Sequence, residues 1–139
     1  MARLQFVIDT SALSRVSKRP IMAVLGPLAA RGQLALTSPV RFELGYSARS
    51  HDDRQLLMER LAAFHQLDTV EADHQRALEV QEALTATSAH RGLSLVDALV
   101  AATAERVALS VLHYDHDFDR IAKVTRQPHD WVVPRGTAD

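Results

Sequence analysis

Apolar positions in this chain fall into short unbroken runs and longer stretches of helical period. Leu4 to Ile8 is a compact apolar run ending at Asp9-Thr10-Ser11, the pattern of a buried strand followed by a helix-starting turn. Residues 11–17 and 20–31 read as helical, with Pro20 opening the second stretch and Gly32 closing it. Gly26-Pro27 inside that stretch is expected to kink or split it. Leu34 to Thr37 predicts a second strand. Ser38 then serves as a helix N-cap and Pro39 as the first helical residue of a segment to about Arg49, with Glu43 one turn in. A further helix starts at His51-Asp52-Asp53, and Leu67 to Val70 is a weak strand pattern. Residues 71–90 form a long amphipathic helix that Gly92 breaks. Ser94 to Asp97 has the form of an N-cap with an acidic third residue. The helix after it, to Val107, is so apolar or small (Ala98, Leu99, Val100, Ala101, Ala102, Ala104) that it belongs in the interior. Leu109 to Leu112 predicts a strand, Asp117 to Arg126 a helix, Trp131 to Val133 a last strand, and Pro134 to Asp139 a loose tail.

Strands separated by one or two helices indicate an α/β fold, a single domain over residues 1–133 with a central parallel sheet and right-handed crossovers. In such a sheet the strand ends and the helix starts that follow them share one edge, where sites form. Asp9 and Asp115 follow strands, and Glu43 and Asp97 sit early in helices, so all four are expected at that edge. Each has a plain structural alternative. Asp9 could cap the next helix, Glu43 could be a solvated charge, Asp97 a capping residue, and Asp115 and Asp117 turn formers. Asp97, however, belongs to a very apolar helix, where a lone charge is costly. Carboxylates gathered at one edge repel each other unless a cation joins them, which points to magnesium or manganese. Such ions beside a phosphate suggest hydrolysis of a nucleic acid.

Composition narrows this picture. The 139 residues suffice for one domain with a real core, and 47% apolar with 24% charged residues is ordinary for a globule. No apolar run approaches the roughly 20 residues that span a bilayer, and the start of the chain has no signal-peptide pattern. A cytoplasmic location fits. The absence of cysteine excludes disulfides, thiolate zinc sites and cysteine nucleophiles. A net charge of −1 is not that of a general polyanion binder, so any positive charge for nucleic acid must be local. The basic residues are 14 Arg and 2 Lys, a bias compatible with RNA contacts but better accounted for by a GC-rich genome. The seven histidines form no H-E-x-x-H motif, and the five glycines form no dinucleotide or P-loop signature.

The four acidic segments also resemble a known family. Asp9-Thr10-Ser11 after an opening strand resembles the start of PIN-domain nucleases. Ser38-Pro39-Val40-Arg41-Phe42-Glu43-Leu44, Leu93 to Ala102 around Asp97, and His113-Tyr114-Asp115-His116-Asp117-Phe118 resemble its later acidic motifs. The likeness runs from residue 6 to about 133, and the wording is most similar to VapC-type toxins of bacterial toxin–antitoxin pairs. This resemblance implies a magnesium- or manganese-dependent endoribonuclease that cuts a transfer or ribosomal RNA. It also implies a homodimer and silencing by a cognate VapB-type antitoxin. Asp9, Glu43, Asp97 and Asp115 would bind one or two ions, with Asp117 as an alternate or indirect ligand. Thr10 and Ser11 would hold water or a phosphate oxygen. The fourth motif departs from the family's commoner Thr or Arg at His113 and Tyr114.

Other groups are open to two readings. Arg15, Lys18 and Arg19 could meet RNA phosphates or form a solvated helix face, and His116 could touch substrate or lie at the surface. Arg120, Lys123 and Arg126 read as a solvated face. Two rival functions remain. One is a phosphatase with Asp9 as nucleophile, which the Ser at position 11 disfavours, because such enzymes usually carry a second acid there. The other is a catalytically silent PIN-like module that only binds RNA or a partner.

Overall fold

The structure is a computed structural model that describes residues 3–139; Met1 and Ala2, the first residues of the predicted domain, lie outside the described residues. Among the described residues, five strands form one parallel sheet in the order β3-β2-β1-β4-β5. They are β1 (Phe6–Ile8), β2 (Leu34–Thr37), β3 (His65–Leu67), β4 (Ser110–His113) and β5 (His129–Trp131). Seven helices among the described residues flank the sheet: α1 (Thr10–Leu13), α2 (Arg19–Ala30), α3 (Ser38–Tyr46), α4 (His51–Leu61), α5 (Glu71–Thr85), α6 (Leu95–Arg106) and α7 (Asp117–Thr125). The expected α/β class with a parallel sheet is the observed one.

The central strands are apolar on both faces because helices cover both. Val7, Ile8, Leu34, Ala35, Leu36, Val111 and Leu112 are buried with Ile21, Leu25, Val40, Val100 and Phe118 from the helices. The helix α6 is interior as predicted: every residue from Asp97 to Ala104 is buried, and it packs on β1, β4, α3, α5 and α7. Among the described residues, no helix is long and apolar enough to cross a membrane.

The chain turns east and west of β1. It builds β2 and β3 on one side, then returns to build β4 and β5 on the other. The crevice at the carboxyl ends of β1 and β4 is therefore the switch point, the place in open parallel sheets where ligands bind.

Several predicted elements shift. The helix expected over 11–17 is a single turn, α1, followed by i→i+3 turns through Lys18. The helix α2 runs unbroken through Pro27, because Ile21 and Leu25 anchor it before the proline and Leu28 packs on the same core after it. The N-cap of α3 is Thr37 rather than Ser38, and α3 stops at Tyr46. The helix α5 ends at Thr85 rather than 90, its end closed by Ser88 at φ 57°. The strand expected over 67–70 is β3 at 65–67, and the last strand lies at 129–131 rather than 131–133. Both are edge strands bearing polar residues, so hydrophobic patterning could not register them.

The segment 134–139 is not loose. Tyr114 Oη accepts hydrogen bonds from Gly136 N (2.8 Å) and Ala138 N (2.9 Å) and donates to Asp139 Oδ1 (2.7 Å). Ala138 is buried in the main core.

Candidate metal centre at the sheet edge

Asp9 leaves β1 in an extended conformation and caps α1. Its Oδ2 accepts from Ser11 N (3.0 Å) and Ser11 Oγ (2.6 Å). Ser11 Oγ in turn accepts from Tyr114 N (2.8 Å), so this hydroxyl ties the end of β1 to the end of β4. Capping thus uses only one of the two Asp9 oxygens. Its other oxygen, Oδ1, is buried and has no hydrogen-bond partner.

Glu43 comes from α3, and its Oε1 accepts from Thr10 Oγ1 (2.5 Å). Asp97 is the third residue of α6; its backbone N–H donates to the N-cap Ser94 Oγ (3.0 Å). Its carboxyl is not spent on returning a bond to the cap. It comes within hydrogen-bonding reach of Asp117 instead. Asp115 follows β4, and its Oδ1 accepts from Asp117 N (2.9 Å), a turn that launches α7. Asp9, Thr10, Ser11, Glu43, Ser94, Asp97, Asp115 and Asp117 together line an open depression of about 300 Å³.

The electrostatics of this depression are those of crowded acids. Burial, opposed by the two Ser11 bonds and assisted by the charges of Glu43 and Asp115, pushes Asp9 up to about 6. Burial and the neighbouring Asp9, Asp115 and Asp117 carboxylates push Asp97 well above the ordinary carboxylate range. Such a set holds protons or a cation, and a buried carboxylate oxygen without a donor is the feature a hard divalent ion satisfies. The donor set, all carboxylate and hydroxyl oxygen, fits magnesium or manganese.

The remaining predicted residues divide. His116 is exposed beside the acids, with Nδ1 3.7 Å from Asp115 Oδ1 and Nε2 3.6 Å from Asp117 Oδ1. Arg15 donates to Ser11 O (2.7 Å) and Ala138 O (3.2 Å) and lies over the Tyr114 ring, 4.8 Å from its centroid. Lys18 Nζ donates to Asp139 O (2.9 Å). Both bases are therefore engaged with the C-terminal segment, whereas Arg19 is exposed at the start of α2.

Arg120 was expected on a solvated face. It pairs with Asp117 and donates to Ala89 O (3.2 Å). The spacing Asp117 to Arg120, i to i+3 on a helix, was the available signal. Gly92 leaves room for this guanidinium: a Cβ there would stand 2.6 Å from Arg120 Nη2. The acid most deeply buried away from the site, Asp73, also escaped patterning. It accepts from Val70 N, Thr103 Oγ1 and Arg106 Nε at 2.9–3.0 Å and is structural.

The PIN domain family model matches residues 6–124. The chain belongs to the PIN-domain family. Within this family it is 44% identical to ribonuclease VapC51 of Mycobacterium tuberculosis over 136 residues, covering 98% of each chain. It is 42% identical to ribonuclease VapC21 of the same species, covering 96% of this chain and 98% of that one. The PIN fold also superimposes on the crystal structure of DNA-bound VapBC from Salmonella typhimurium. The TM-score is 0.75 at 16% identity, covering 94% and 99% of the two chains, and that likeness concerns the fold.

Proposed function

We propose that this chain is a VapC-type endoribonuclease that hydrolyses RNA phosphodiester bonds with magnesium or manganese held by Asp9, Glu43, Asp97 and Asp115. The observation that carries this reading is Asp9 Oδ1, a buried carboxylate oxygen without a donor in a depression lined by five acids. The extensive identity to ribonucleases of the VapC type supports it.

When bound, a divalent ion supplies a water of lowered pKa and positive charge against the phosphate. The chain's own residues do the rest. Ser11 holds Asp9 by Oδ2 and leaves Oδ1 without a donor, and Thr10 holds Glu43 by Oε1. Ser94 Oγ accepts from Asp97 N and so fixes the first turn of α6, which carries Asp97 to the depression. Arg120 neutralises part of the Asp117 charge, which makes Asp117 the indirect contributor of the five. His116, exposed beside Asp115 and Asp117, is the residue that would meet substrate in this reading. In-line hydrolysis would leave a 5′-phosphate and a 3′-hydroxyl. A transfer or ribosomal RNA as substrate, a VapB-type antitoxin as partner, a homodimer and a cytoplasmic setting belong to the same reading, on the strength of the VapC likeness.

The test is cleavage of total bacterial RNA by the purified, antitoxin-free chain with magnesium, with manganese and with chelator, beside Asp9→Asn and Asp97→Asn. Discrete metal-dependent fragments, absent in both variants, are expected. Folded protein that neither cuts RNA nor binds Mn²⁺ would refute the reading and favour a silent binding module.

A further inference from the structure

The first of the two residues at which the fourth acidic motif departs from the commoner pattern is fully buried. His113 is the last residue of β4, enclosed by the rings of Phe118, Trp131 and His129 at centroid distances of 4.7, 5.1 and 5.1 Å. Its two ring nitrogens have different partners. Nδ1 lies 3.1 Å from Asp115 N, and a backbone N–H can only donate, so Nδ1 is the acceptor. The proton of the neutral ring is then on Nε2, which donates to His129 Nδ1 at 2.8 Å. His129 in turn stands 3.7 Å from Asp119, whose Oδ1 accepts from Trp131 Nε1 (3.2 Å).

This order runs straight into the acidic depression. The N–H of Asp115 is held by His113, and Asp115 Oδ1 holds the N–H of Asp117. Two successive acids are thus hung from one buried imidazole. We propose that His113 is a positioning residue for the nuclease reaction: locked as the Nε2–H tautomer between His129 and the Asp115 backbone, it sets where the Asp115 and Asp117 carboxylates stand. The proposal rests on the metal-dependent reading above.

A metal ion among His113, Asp119 and His129 is the competing use of these groups, since their ligand atoms lie within 4.8 Å of one another. An ion on Nε2 would move the ring proton to Nδ1, where it would face the Asp115 N–H donor to donor. The hydrogen-bonded arrangement is the one in which both nitrogens of His113 have a matched partner.

The experiment uses the full chain, free of antitoxin, with ¹⁵N-labelled histidine, and the variants His113→Asn, His113→Leu and His129→Phe. Imidazole ¹⁵N spectra read the tautomer, Mn²⁺ titration reads the acidic site, and metal-free melting checks folding. The wild type is expected to show His113 as Nε2–H. His113→Asn keeps an acceptor where Nδ1 stood and should bind Mn²⁺ like the wild type. His113→Leu lacks it and should bind about 10- to 100-fold more weakly, the usual effect of losing a group that orients a ligand. Should His113→Leu fail to fold, His129→Phe leaves His113 in place but removes the partner of Nε2. The Nε2–H is then left without an acceptor, so the ring is no longer held from that side and Mn²⁺ binding should weaken. A wild-type Nδ1–H signal, or Mn²⁺ affinity unchanged in a folded His113→Leu or His129→Phe variant, would overturn the proposal alone. A folded wild type that binds no Mn²⁺ would sink the metal-site reading and the proposal with it.

Discussion

Asp9→Asn should make the metal-free protein more stable while removing its activity. Asp9 is 1% exposed, and burial beside Glu43 and Asp115 raises its pKa from 3.8 to about 6. A carboxyl whose folded pKa lies above its unfolded one favours the native state below about pH 4. That contribution is lost as the pH rises through about 6. At pH 7.5 the native state must therefore hold an ionised Asp9 that the unfolded chain would solvate freely. The displacement is worth about 3 kcal/mol, at roughly 1.4 kcal/mol per unit. Asparagine keeps an acceptor for Ser11 N and carries no charge, so it should recover most of this difference. For a domain of this length that is a rise in Tm on the order of 5–15 °C. The assay is thermal and urea unfolding of both proteins in chelator, at pH 7.5 and again near pH 4. The gain should be present at the higher pH and nearly vanish at the lower. A variant no more stable than wild type at pH 7.5, or a gain of equal size at both, would refute the argument that Asp9 is a buried charge awaiting a cation.

Three other outcomes follow from the same structure. Magnesium should raise the Tm of the wild type and leave Asp9→Asn and Asp97→Asn unmoved; a concentration of 100 Kd is worth about 2.7 kcal/mol. Mn²⁺ affinity, measured by calorimetry at pH 7.5 and 5.5, should fall at the lower pH, because Asp9 titrates near 6 and Asp97 higher, and both must lose protons to bind. Asp73→Ala should destabilise the fold by about 3 kcal/mol, by leaving Arg106, Thr103 and the Val70 N–H without their shared partner, yet leave Mn²⁺ affinity unchanged.

The acidic residues were legible because their positions follow from local rules. A strand that ends in Asp-Thr-Ser and a helix that begins Ser-Leu-Val-Asp can be read over a few residues, and parallel topology sends such ends to one edge. The basic residues were not legible in this way. Arg15, Lys18 and Arg120 look alike in sequence, yet two of them hold the C-terminal segment and the third meets Asp117. Long flexible side chains take partners that only packing brings near.

The sequence by itself determined the α/β class, the buried helix α6 and the four carboxylates at the sheet edge, because burial period and capping act within single elements. The tertiary structure alone decided the strand order that puts β1 beside β4, the polar edge strands β3 and β5, and the anchoring of residues 134–139 on Tyr114. It also decided which oxygen of Asp9 is left without a donor and which nitrogen of His113 carries the proton. Those are properties of partners distant in the chain, as with Ser11 and Tyr114, and a hydrogen bond exists only once the fold has brought its two ends together.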